Sequence, residues 1–288
     1  MPELPEVEAV ARALRPYIVG RRVLRCRVIH SIAVRPSSGH GEKQAAVELG
    51  AQLRDRRVAA AERRGKYLIL RLDKGNIVLH FRLDGQLVWF DGRKTSGHID
   101  VAFETAHGTL GFVDRRHLGR VQWVKVPEDL PGITALGVDP LAKEFTAGRF
   151  SKMLSQSRRP LKLFLLDQDK VAGIGNIYSN EALWHAGLDP RKPANRLDRD
   201  DAGRLHKAIV DVLHRALECC LDPAPDFRDP RWWFQGLEHI LQVYGREGKE
   251  CRNCGGRIKR IEQGGRSTFW CPRCQGRRKT RWNESSTE

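Results

Sequence analysis

The sequence predicts a multidomain α+β protein: an N-terminal helix with a β-sandwich, then a helical half, then a cysteine-rich hairpin. Its 288 residues exceed one typical domain, so more than one core is expected. Short segments of alternating hydrophobicity occupy residues 23–126, whereas apolar residues follow the helical period over 161–217. Two Cys-x2-Cys pairs lie near the C-terminus, at 251–254 and 271–274. These observations divide the chain into its predicted parts.

An amphipathic helix is expected to start at Pro5. Proline suits the first turn of a helix, and Glu6 and Glu8 favour the N-terminal end of the helix dipole. One apolar stripe follows, made of Val7, Val10, Ala11 and Leu14. A helix with one such stripe covers a face or an edge of the sheet.

Short strands with intervening turns are expected between residues 23 and 126. Candidate strands lie at 67–72, 99–103, 109–113 and 120–126. Alternation also runs over 77–83, and Asp84-Gly85 then leads into 87–89, a pattern that predicts a hairpin. Strands at this spacing are typical of a β-sandwich.

The second half begins after residues 127–140, which are rich in Pro, Gly and Asp and are expected to form a linker. Helices are predicted at 161–166 and 177–185, and a long one follows with the apolar face Leu205, Ile209, Val212, Leu213 and Leu217. Between the first two lies the glycine-rich turn Gly173-Ile-Gly-Asn176. Its amides either form an ordinary tight turn or bind phosphate. The tail 277–288 has no core pattern and is expected to be disordered.

Net charge is the strongest compositional signal. Lys and Arg number 51 against 35 Asp and Glu, which gives a net charge of +16 at pH 7. Such a surplus favours a polyanionic partner. Every apolar stretch is far too short for a membrane-spanning helix, and the acidic, proline-containing N-terminus does not resemble a secretory signal. We therefore expect the protein in the cytoplasm, associated with the nucleoid.

The two cysteine pairs are separated by sixteen residues, the spacing of a zinc ribbon. The predicted ligands of one structural Zn²⁺ are Cys251, Cys254, Cys271 and Cys274. Four protein ligands leave no open position for a substrate, so this zinc holds a hairpin with arms at 257–261 and 267–270. Residues 251–282 carry ten Lys or Arg against one acid, Glu262, so positive charge is concentrated on this hairpin and just beyond it. Three further cysteines are expected to be free thiols: Cys26, Cys219 and Cys220.

Five short motifs lie along the chain. They are Pro-Glu-Leu-Pro-Glu-Val-Glu at 2–8, Arg-Gly-Lys-Tyr-Leu at 64–68, Gly-Ile-Gly-Asn-Ile-Tyr at 173–178, Leu-Gln-Val-Tyr-Gly-Arg at 241–246 and Arg-Ser-Thr-Phe-Trp at 266–270. Together with the zinc ribbon, and in the same order, they resemble the formamidopyrimidine-DNA glycosylase and endonuclease VIII family. The opening motif is more similar to the formamidopyrimidine branch.

The resemblance implies a base-excision-repair DNA glycosylase with apurinic/apyrimidinic lyase activity. Such an enzyme binds duplex DNA with a damaged base or abasic site in a cleft between its halves, removes oxidised bases and nicks the strand, and it acts as a monomer. The implied domains are a catalytic β-sandwich with the N-terminal helix (1–130), a linker (131–145), a helix-two-turn-helix domain (146–245), a zinc-ribbon finger (246–276) and a basic tail (277–288).

Two residues at the N-terminus would carry the chemistry. Met1 precedes a small residue, so an aminopeptidase can remove it and leave Pro2 with a secondary amine whose ordinary pKa is about 8. A neutral amine can attack the sugar carbon and form an iminium. Glu3 would protonate the opening sugar oxygen as a general acid, a task that requires burial near the helix start. If Met1 stays, the nitrogen of Pro2 is an amide and this route is closed.

Other site residues follow from the same resemblance. Lys66 corresponds to the lysine that contacts the lesion phosphate and assists β-elimination, although a lysine there can also be a solvated strand edge. Arg266 corresponds to the arginine that grips the flanking phosphates and serves δ-elimination. Further DNA-binding residues would be His98, Arg116, Arg158 and Asn176. Phosphate contacts by His98, Arg158 and Asn176 would position the backbone without reading bases. Glu6 and Glu181 match carboxylates near the active site, or are simply helix-end charges.

The residues that would fill the gap left by a flipped base depart from the family pattern. Leu83 and Leu118 stand where the family has methionine and phenylalanine, and both remain apolar wedges, while Arg116 still faces the orphaned base. One histidine of a family phosphate contact is replaced by Ser96. This leaves the opposite-base preference open.

The segment after the long helix also departs from the family. Residues 219–234 carry prolines and aromatics where the formamidopyrimidine branch has a glycine-bearing loop over the extruded base, so the lesion preference is open as well. Trp232 and Trp233 either stack on a base or seal a hinge. Two other functions remain as alternatives: a catalytically silent damaged-DNA binding protein of the same fold, and a zinc-ribbon protein of the translation apparatus.

Overall fold

The computed structural model describes residues 2–35, 41–92, 98–229 and 237–276. Four positions discussed above, Met1, Ser96, Trp232 and Trp233, lie outside these ranges, as does the tail 277–288. The chain forms two compact units. The sandwich unit contains 1–144, 167–175 and 213–240, and the helical unit contains 145–166, 176–212 and 241–288.

The sandwich unit is built from two antiparallel sheets. The strands are β1 (Arg22–Val23), β2 (Arg25–Val28), β3 (Arg56–Arg64), β4 (Tyr67–Leu72), β5 (Asn76–His80), β6 (Gln86–Phe90), β7 (Val101–Glu104), β8 (Thr109–Val113) and β9 (Arg120–Val124). A five-stranded sheet has the order β1-β3-β4-β5-β9, and a four-stranded sheet has the order β2-β7-β8-β6. The predicted sandwich of short strands is therefore confirmed.

The N-terminal helix α1 (Leu4–Ile18) closes one side of this core. Its predicted stripe, Val7, Val10, Ala11 and Leu14, is fully buried. These side chains share one apolar cluster with residues of both sheets, among them Leu68, Leu79 and Phe112. Burying each such side chain stabilises the fold by about 1.5–3 kcal/mol relative to exposure, so α1 is part of the core rather than an appendage.

The predicted hairpin across Asp84-Gly85 is wrong. Strand β5 pairs with β4 and β9, whereas β6 pairs with β8, so the two segments belong to different sheets. The chain crosses between sheets at Phe81, which is buried, and at Arg82, whose φ of 55° lies in the left-handed region. The alternating pattern identifies both strands correctly, but it holds no information about which strand is the partner.

A helix absent from the sequence prediction, α2 (Glu42–Leu53), lies between β2 and β3. It buries Ala45, Leu49 and Leu53, spaced four residues apart, and it packs against β2. Two short helical turns, Pro127–Asp129 and α3 (Pro131–Thr134), lie within the predicted linker.

The helical unit contains α4 (Ala147–Ser155), α5 (Leu161–Leu166), α6 (Asn176–His185) and the long α7 (Arg199–Leu221), whose last turns count with the sandwich unit. The zinc-ribbon hairpin follows as β10 (Lys259–Gln263) and β11 (Arg266–Trp270), with a final turn α8 (Pro272–Gln275). Helices α5, α6 and α7 match the predicted ones, whereas α4 was not predicted. Of the described helices, none is both long and apolar enough to cross a membrane.

Candidate catalytic and DNA-binding site

The start of the chain is held inside the sandwich unit. Pro2 and Glu3 are both buried, and Glu3 is only 1% exposed. Its backbone N–H donates to Glu6 Oε2 at 2.8 Å, which caps the first turn of α1. Its own carboxylate accepts the N–H of Gly175 at 2.7 Å. Glu3 therefore has the burial that the sequence argument requires of a general acid.

The glycine-rich turn at 173–176 packs against these N-terminal residues. Gly173 has a φ of 89° and accepts the N–H of Leu4 on its carbonyl oxygen at 3.0 Å. A Cβ on Gly173 would lie 2.8 Å from Leu4, and one on Gly175 would lie 2.4 Å from the Glu3 carboxylate. The N–H of Gly173 donates to Gln168 Oε1 at 2.9 Å. Both glycine amides are thus bound within the protein, which favours a packing role over phosphate binding for these two groups.

For the base excision that the resemblance implies, we predict a rate about 10- to 100-fold lower in Gly175→Ala, because the added Cβ displaces the Glu3 carboxylate from its place. The measurement is the single-turnover rate of base release on a damaged duplex. Gly148→Ala is the matched control, since Gly148 lies in α4 with open space around it and alanine favours a helix there. Equal rates of base release for Gly175→Ala and Gly148→Ala would contradict the role of Gly175 in positioning the Glu3 carboxylate.

Lys66 lies in the two-residue turn that joins β3 to β4, beside Gly65 with a φ of 56°. Arg63 braces this turn. It donates to Glu8 Oε2 at 2.9 Å, to Asp139 Oδ2 at 2.7 Å and to the Gly65 carbonyl at 3.3 Å. Burial would raise the pKa of Glu8, but hydrogen bonds and charge from Arg12 and Arg63 hold it below its usual value. Because Glu8 belongs to α1, these contacts tie the Lys66 turn to the helix that directly follows Glu3.

A residue that the sequence analysis did not single out, His80, lies close to Lys66. Burial, then Arg82, then Lys66 lower the pKa of His80 to about 3. Its Nδ1 accepts the backbone N–H of Arg82 at 3.0 Å, and its ring contacts Tyr67 edge to face. His80 is therefore neutral at any physiological pH and adds no charge beside the predicted phosphate-binding lysine.

This histidine gives a pH prediction. The pKa of His80 in the folded protein lies below the ordinary 6.5, so between pH 3 and 6.5 the unfolded chain binds a proton at His80 that the folded chain does not. The contribution of neutral His80 to the free energy of unfolding is therefore complete above pH 6.5 and is lost as pH falls towards 3. We expect His80→Asn, which keeps an acceptor for Arg82, to reduce the loss of unfolding free energy over that range by about 2 kcal/mol. Urea titrations of both proteins across the range measure it, and identical pH slopes would contradict it.

The two predicted wedges are brought to one place. Leu83 and Leu118 are 40% and 36% exposed, high for leucine, and both line a cavity of about 520 Å³ in the sandwich unit. Arg116 is exposed, and its Nε lies 3.5 Å from Asp84 Oδ2. The structure thus places the predicted wedges and the predicted orphan-base arginine on neighbouring loops.

Asp114 shapes the loop that carries Arg116 and Leu118. Its carboxylate is buried and accepts the backbone N–H groups of Arg116, at 3.0 Å, and of Gly119. Its carbonyl accepts the N–H of His117 at 3.1 Å. Aspartate directly after a strand commonly forms such turns, so the position of Asp114 after the 109–113 strand is the sequence signal for this role.

The segment after α7 is anchored to the sandwich before it leaves the described residues. Phe227 is buried in the sandwich core, and its carbonyl accepts the backbone N–H of Trp89 at 2.8 Å. Arg228 donates to Asp91 Oδ2 at 2.9 Å and lies over the Tyr17 ring. The departure from the family pattern therefore includes a fixed attachment point on β6.

The helical unit carries Asn176 as the first residue of α6. Its Oδ1 is buried and has no hydrogen-bond partner among the described residues, while its carbonyl accepts Ser179 Oγ at 3.3 Å. Arg158 follows α4 and is exposed, and in the sandwich unit His98 is exposed as well. All three remain predicted DNA contacts.

Glu6 and Glu181, the two carboxylates with two alternative interpretations in the sequence, both bind backbone N–H groups. Glu6 caps Glu3, as described above. Glu181 is buried in α6 and accepts the N–H groups of Gln242, Val243 and Tyr244 at 2.8, 3.0 and 2.8 Å. Burial raises the pKa of Glu181, and the three backbone N–H groups only partly oppose this. Glu181 therefore holds the motif at 241–246 and is not a simple helix-end charge.

The four ribbon cysteines converge as predicted, with all sulfur atoms within 4.8 Å of one another. Cys251 Sγ lies 3.8 Å from Cys274 Sγ, and Cys254 Sγ lies 3.4 Å from Cys271 Sγ. Zn–S bonds of about 2.3 Å in a tetrahedron give similar sulfur separations, so the donors fit one zinc ion. Cys251 and Cys271 pack with Val243 and Ile258 in the small core of the hairpin. Cys26, Cys219 and Cys220 are free, as predicted.

Arg266 is exposed at the tip of this hairpin. It pairs with Gln263 across the turn Gly264-Gly265, whose φ values of 58° and 70° suit glycine. Buried Lys162 secures the hairpin, since its Nζ donates to the Ser267 carbonyl and to Asn180 Oδ1, both at 3.0 Å. The zinc and this lysine together fix the strand that begins with Arg266.

Three family models match successive parts of the chain. The model for the formamidopyrimidine-DNA glycosylase N-terminal domain matches residues 1–121, that for the formamidopyrimidine-DNA glycosylase H2TH domain matches 136–222, and that for a zinc finger found in FPG and IleRS matches 248–276.

Curated relatives agree along nearly their full length. A formamidopyrimidine-DNA glycosylase of Desulfitobacterium hafniense is 36% identical over 279 residues, covering 96% of this chain and all of the relative. That of Parasynechococcus marenigrum is 39% identical over 284 residues, with 96% and 100% covered.

Solved structures agree as well. Lactococcus lactis Fpg in complex with abasic-site DNA has a TM-score of 0.83 at 30% identity, covering 96% of this chain and 100% of that one. The MutM (Fpg) protein from Thermus thermophilus has a TM-score of 0.80 at 34% identity, covering 96% and 99%.

Proposed function

Because the chain belongs to the formamidopyrimidine-DNA glycosylase family, we propose that Pro2 and Glu3 make it a bifunctional enzyme that excises damaged bases and then nicks the strand. The chain is a base-excision DNA glycosylase, apurinic/apyrimidinic lyase activity is characteristic of its family, and its partner is damaged duplex DNA. One structural zinc ion holds the ribbon. The observation that carries the proposal is the buried Glu3 carboxylate, fixed by Gly175 directly beside Pro2.

The proposed reaction starts once Met1 has been removed. The lone pair of the Pro2 nitrogen forms a bond to C1′ of the sugar as the bond from C1′ to the base breaks, and the base leaves with that electron pair and takes up the proton that the Pro2 nitrogen releases. In step with this departure, Glu3 donates a proton to the ring oxygen, the bond from C1′ to that oxygen breaks, and the lone pair on the Pro2 nitrogen forms the C1′=N double bond of the iminium. Burial of Glu3 supports this role because it shields the proton donor from water.

Strand cleavage follows from the iminium. Loss of a proton from C2′ breaks the C3′–O bond in β-elimination, and a second elimination breaks the C5′–O bond. Lys66, braced in its turn by Arg63, would hold the lesion phosphate and assist the first step, and Arg266 would serve the second. Hydrolysis of the iminium then frees Pro2.

The remaining predicted contacts bind the DNA backbone. His98, Arg158 and Asn176 would bind phosphates, and Arg116 with the wedges Leu83 and Leu118 would occupy the place of the extruded base. The net charge of +16 supports tight, salt-sensitive binding. We further propose that the enzyme works on the nucleoid, with domains divided at 1–130, 131–145, 146–245 and 246–276.

A panel of duplexes tests the function. Each carries one lesion, namely 8-oxoguanine, formamidopyrimidine, thymine glycol, dihydrouracil or a bare abasic site, and an undamaged duplex is the control. We expect base release from at least one damaged duplex, and nicking of the abasic one with ends typical of β,δ-elimination. Tight binding to all of them without base release or nicking would instead identify a silent damage-binding protein and overturn the proposal.

A further inference from the structure

Three side chains outside the proposed catalytic set meet at one edge of the sandwich unit. Asp100 directly precedes β7, His30 follows β2, and His117 lies in the loop between β8 and β9. The backbone fixes this arrangement, because the Asp100 carbonyl accepts the N–H groups of Ile29 and His30 at 2.8 and 3.2 Å, and the Asp100 N–H donates to the Phe112 carbonyl at 2.8 Å. The backbone positions of His30 and Asp100 are therefore fixed by hydrogen bonds next to paired strands.

The donor atoms of this cluster converge. His30 Nδ1 is hydrogen-bonded to Asp100 Oδ1 at 2.9 Å, and His117 Nδ1 lies at the same distance from that oxygen. One possible metal-ligand atom from each residue falls within 4.8 Å of the others. The two imidazole rings meet edge to face with their centres 4.8 Å apart. Ligands around a zinc-sized ion show similar spacing, since metal–ligand distances of about 2.0–2.2 Å place neighbouring donors a little over 3 Å apart.

Two of these donors have unmet bonding capacity. Asp100 is 1% exposed, and its Oδ2 has no hydrogen-bond partner among the described residues. His117 Nδ1 is also buried, and although it lies close to Asp100 it forms no hydrogen bond of acceptable geometry within the described part of the chain. A buried carboxylate oxygen without a partner costs free energy that a bound cation would recover.

The types of the three side chains indicate which metal ion they would bind. Two imidazole nitrogens and one carboxylate oxygen suit zinc and its neighbours in the first transition series, whereas Ca²⁺ and Mg²⁺ require more oxygen ligands. His30 and His117 are 41% and 35% exposed, so an ion has a path to the buried carboxylate. We propose that His30, Asp100 and His117 form a second binding site for a divalent transition-metal ion, separate from the zinc ribbon.

A metal ion at this site would affect DNA binding by fixing the loop between β8 and β9, which Asp114 shapes. His117 lies between Arg116 and Leu118, and its φ of 52° is in the left-handed region. Coordination would fix this strained residue and with it the predicted orphan-base arginine and one predicted wedge. The site is therefore a positioning element and not part of the chemistry.

The test counts metal ions on the intact protein with its ribbon zinc in place. ZnCl₂ is titrated against a chromophoric chelator, and Co²⁺ is titrated separately to record its visible spectrum. The variants are His30→Ala, its conservative partner His30→Gln, and His117→Ala. His107→Ala is the control, because His107 is an exposed histidine of the same unit in the β7–β8 loop. Thermal melts confirm that each variant folds.

The wild type and His107→Ala are expected to bind one zinc ion beyond that of the ribbon, and the three site variants to bind it at least about tenfold more weakly. The added Co²⁺ spectrum should lack the thiolate charge-transfer absorption of a cysteine site. If the wild type binds no ion beyond the ribbon zinc, or if the site variants bind the second ion as tightly as His107→Ala does, the proposal is overturned.

Discussion

A Glu3→Gln variant is expected to release a damaged base about 1,000-fold more slowly than the wild type. Glutamine has almost the same shape and can still accept the Gly175 N–H, which Glu3 does at 2.7 Å, so the N-terminal turn should keep its geometry. What it loses is the acidic proton for the sugar oxygen. The sugar of an abasic site is a hemiacetal that opens to its aldehyde without an acid from the enzyme, so reaction with an abasic duplex should be affected far less.

Two single-turnover assays separate these effects, one on a base lesion and one on an abasic site. Glu62→Gln is the matched control, because Glu62 lies on β3 and pairs with Arg71 at the surface. A large loss on the base lesion with a small loss on the abasic site supports Glu3 as the acid. Unchanged base release by Glu3→Gln would remove Glu3 from the mechanism.

A Cys254→Ser variant is expected to lose the ribbon zinc and to bind abasic DNA about 100-fold more weakly. The hairpin β10–β11 has a core of only a few side chains around Cys251 and Cys271, and an isolated two-stranded hairpin is marginal in water. Without zinc, Arg266 is no longer held at the turn. Zinc content by a chromophoric chelator and affinity by fluorescence anisotropy measure both effects.

Two further variants separate the effect of losing the zinc from the effect of losing Arg266. Cys219→Ser changes a free, half-buried thiol in α7 and should keep both zinc and affinity. Arg266→Ala should keep the zinc and still lose part of the affinity, which isolates the arginine from the fold of the hairpin. Wild-type affinity in a zinc-free Cys254→Ser protein would show that the ribbon does not hold DNA.

Much of the fold was predictable because its signals are local. The stripe of α1 and the long face of α7 each follow one period over a continuous segment, and the four zinc ligands follow one spacing rule. The strand predicted at 67–72 also lies where the pattern places it, since β4 spans Tyr67–Leu72. At these positions local propensity and tertiary structure agree.

The remaining features depend on contacts between distant residues. Pairing of β5 with β4 rather than with β6 is set by the two sheets as a whole, and the need for Gly175 comes from Glu3, 172 residues away. Glu181 binds the backbone of 242–244, which gives a charged residue in a helix a structural role that its own neighbourhood does not indicate. The site of His30, Asp100 and His117 likewise appears only when three separate segments are brought together.

In the proposed mechanism, the amine of Pro2 forms the covalent bond to the sugar. Sodium borohydride trapping on a duplex with one abasic site, followed by tandem mass spectrometry of the crosslinked peptide, tests it most directly. We expect a crosslink on Pro2 in a chain that has lost Met1. A crosslink on another amine such as Lys66, or DNA binding without any crosslink, would contradict it.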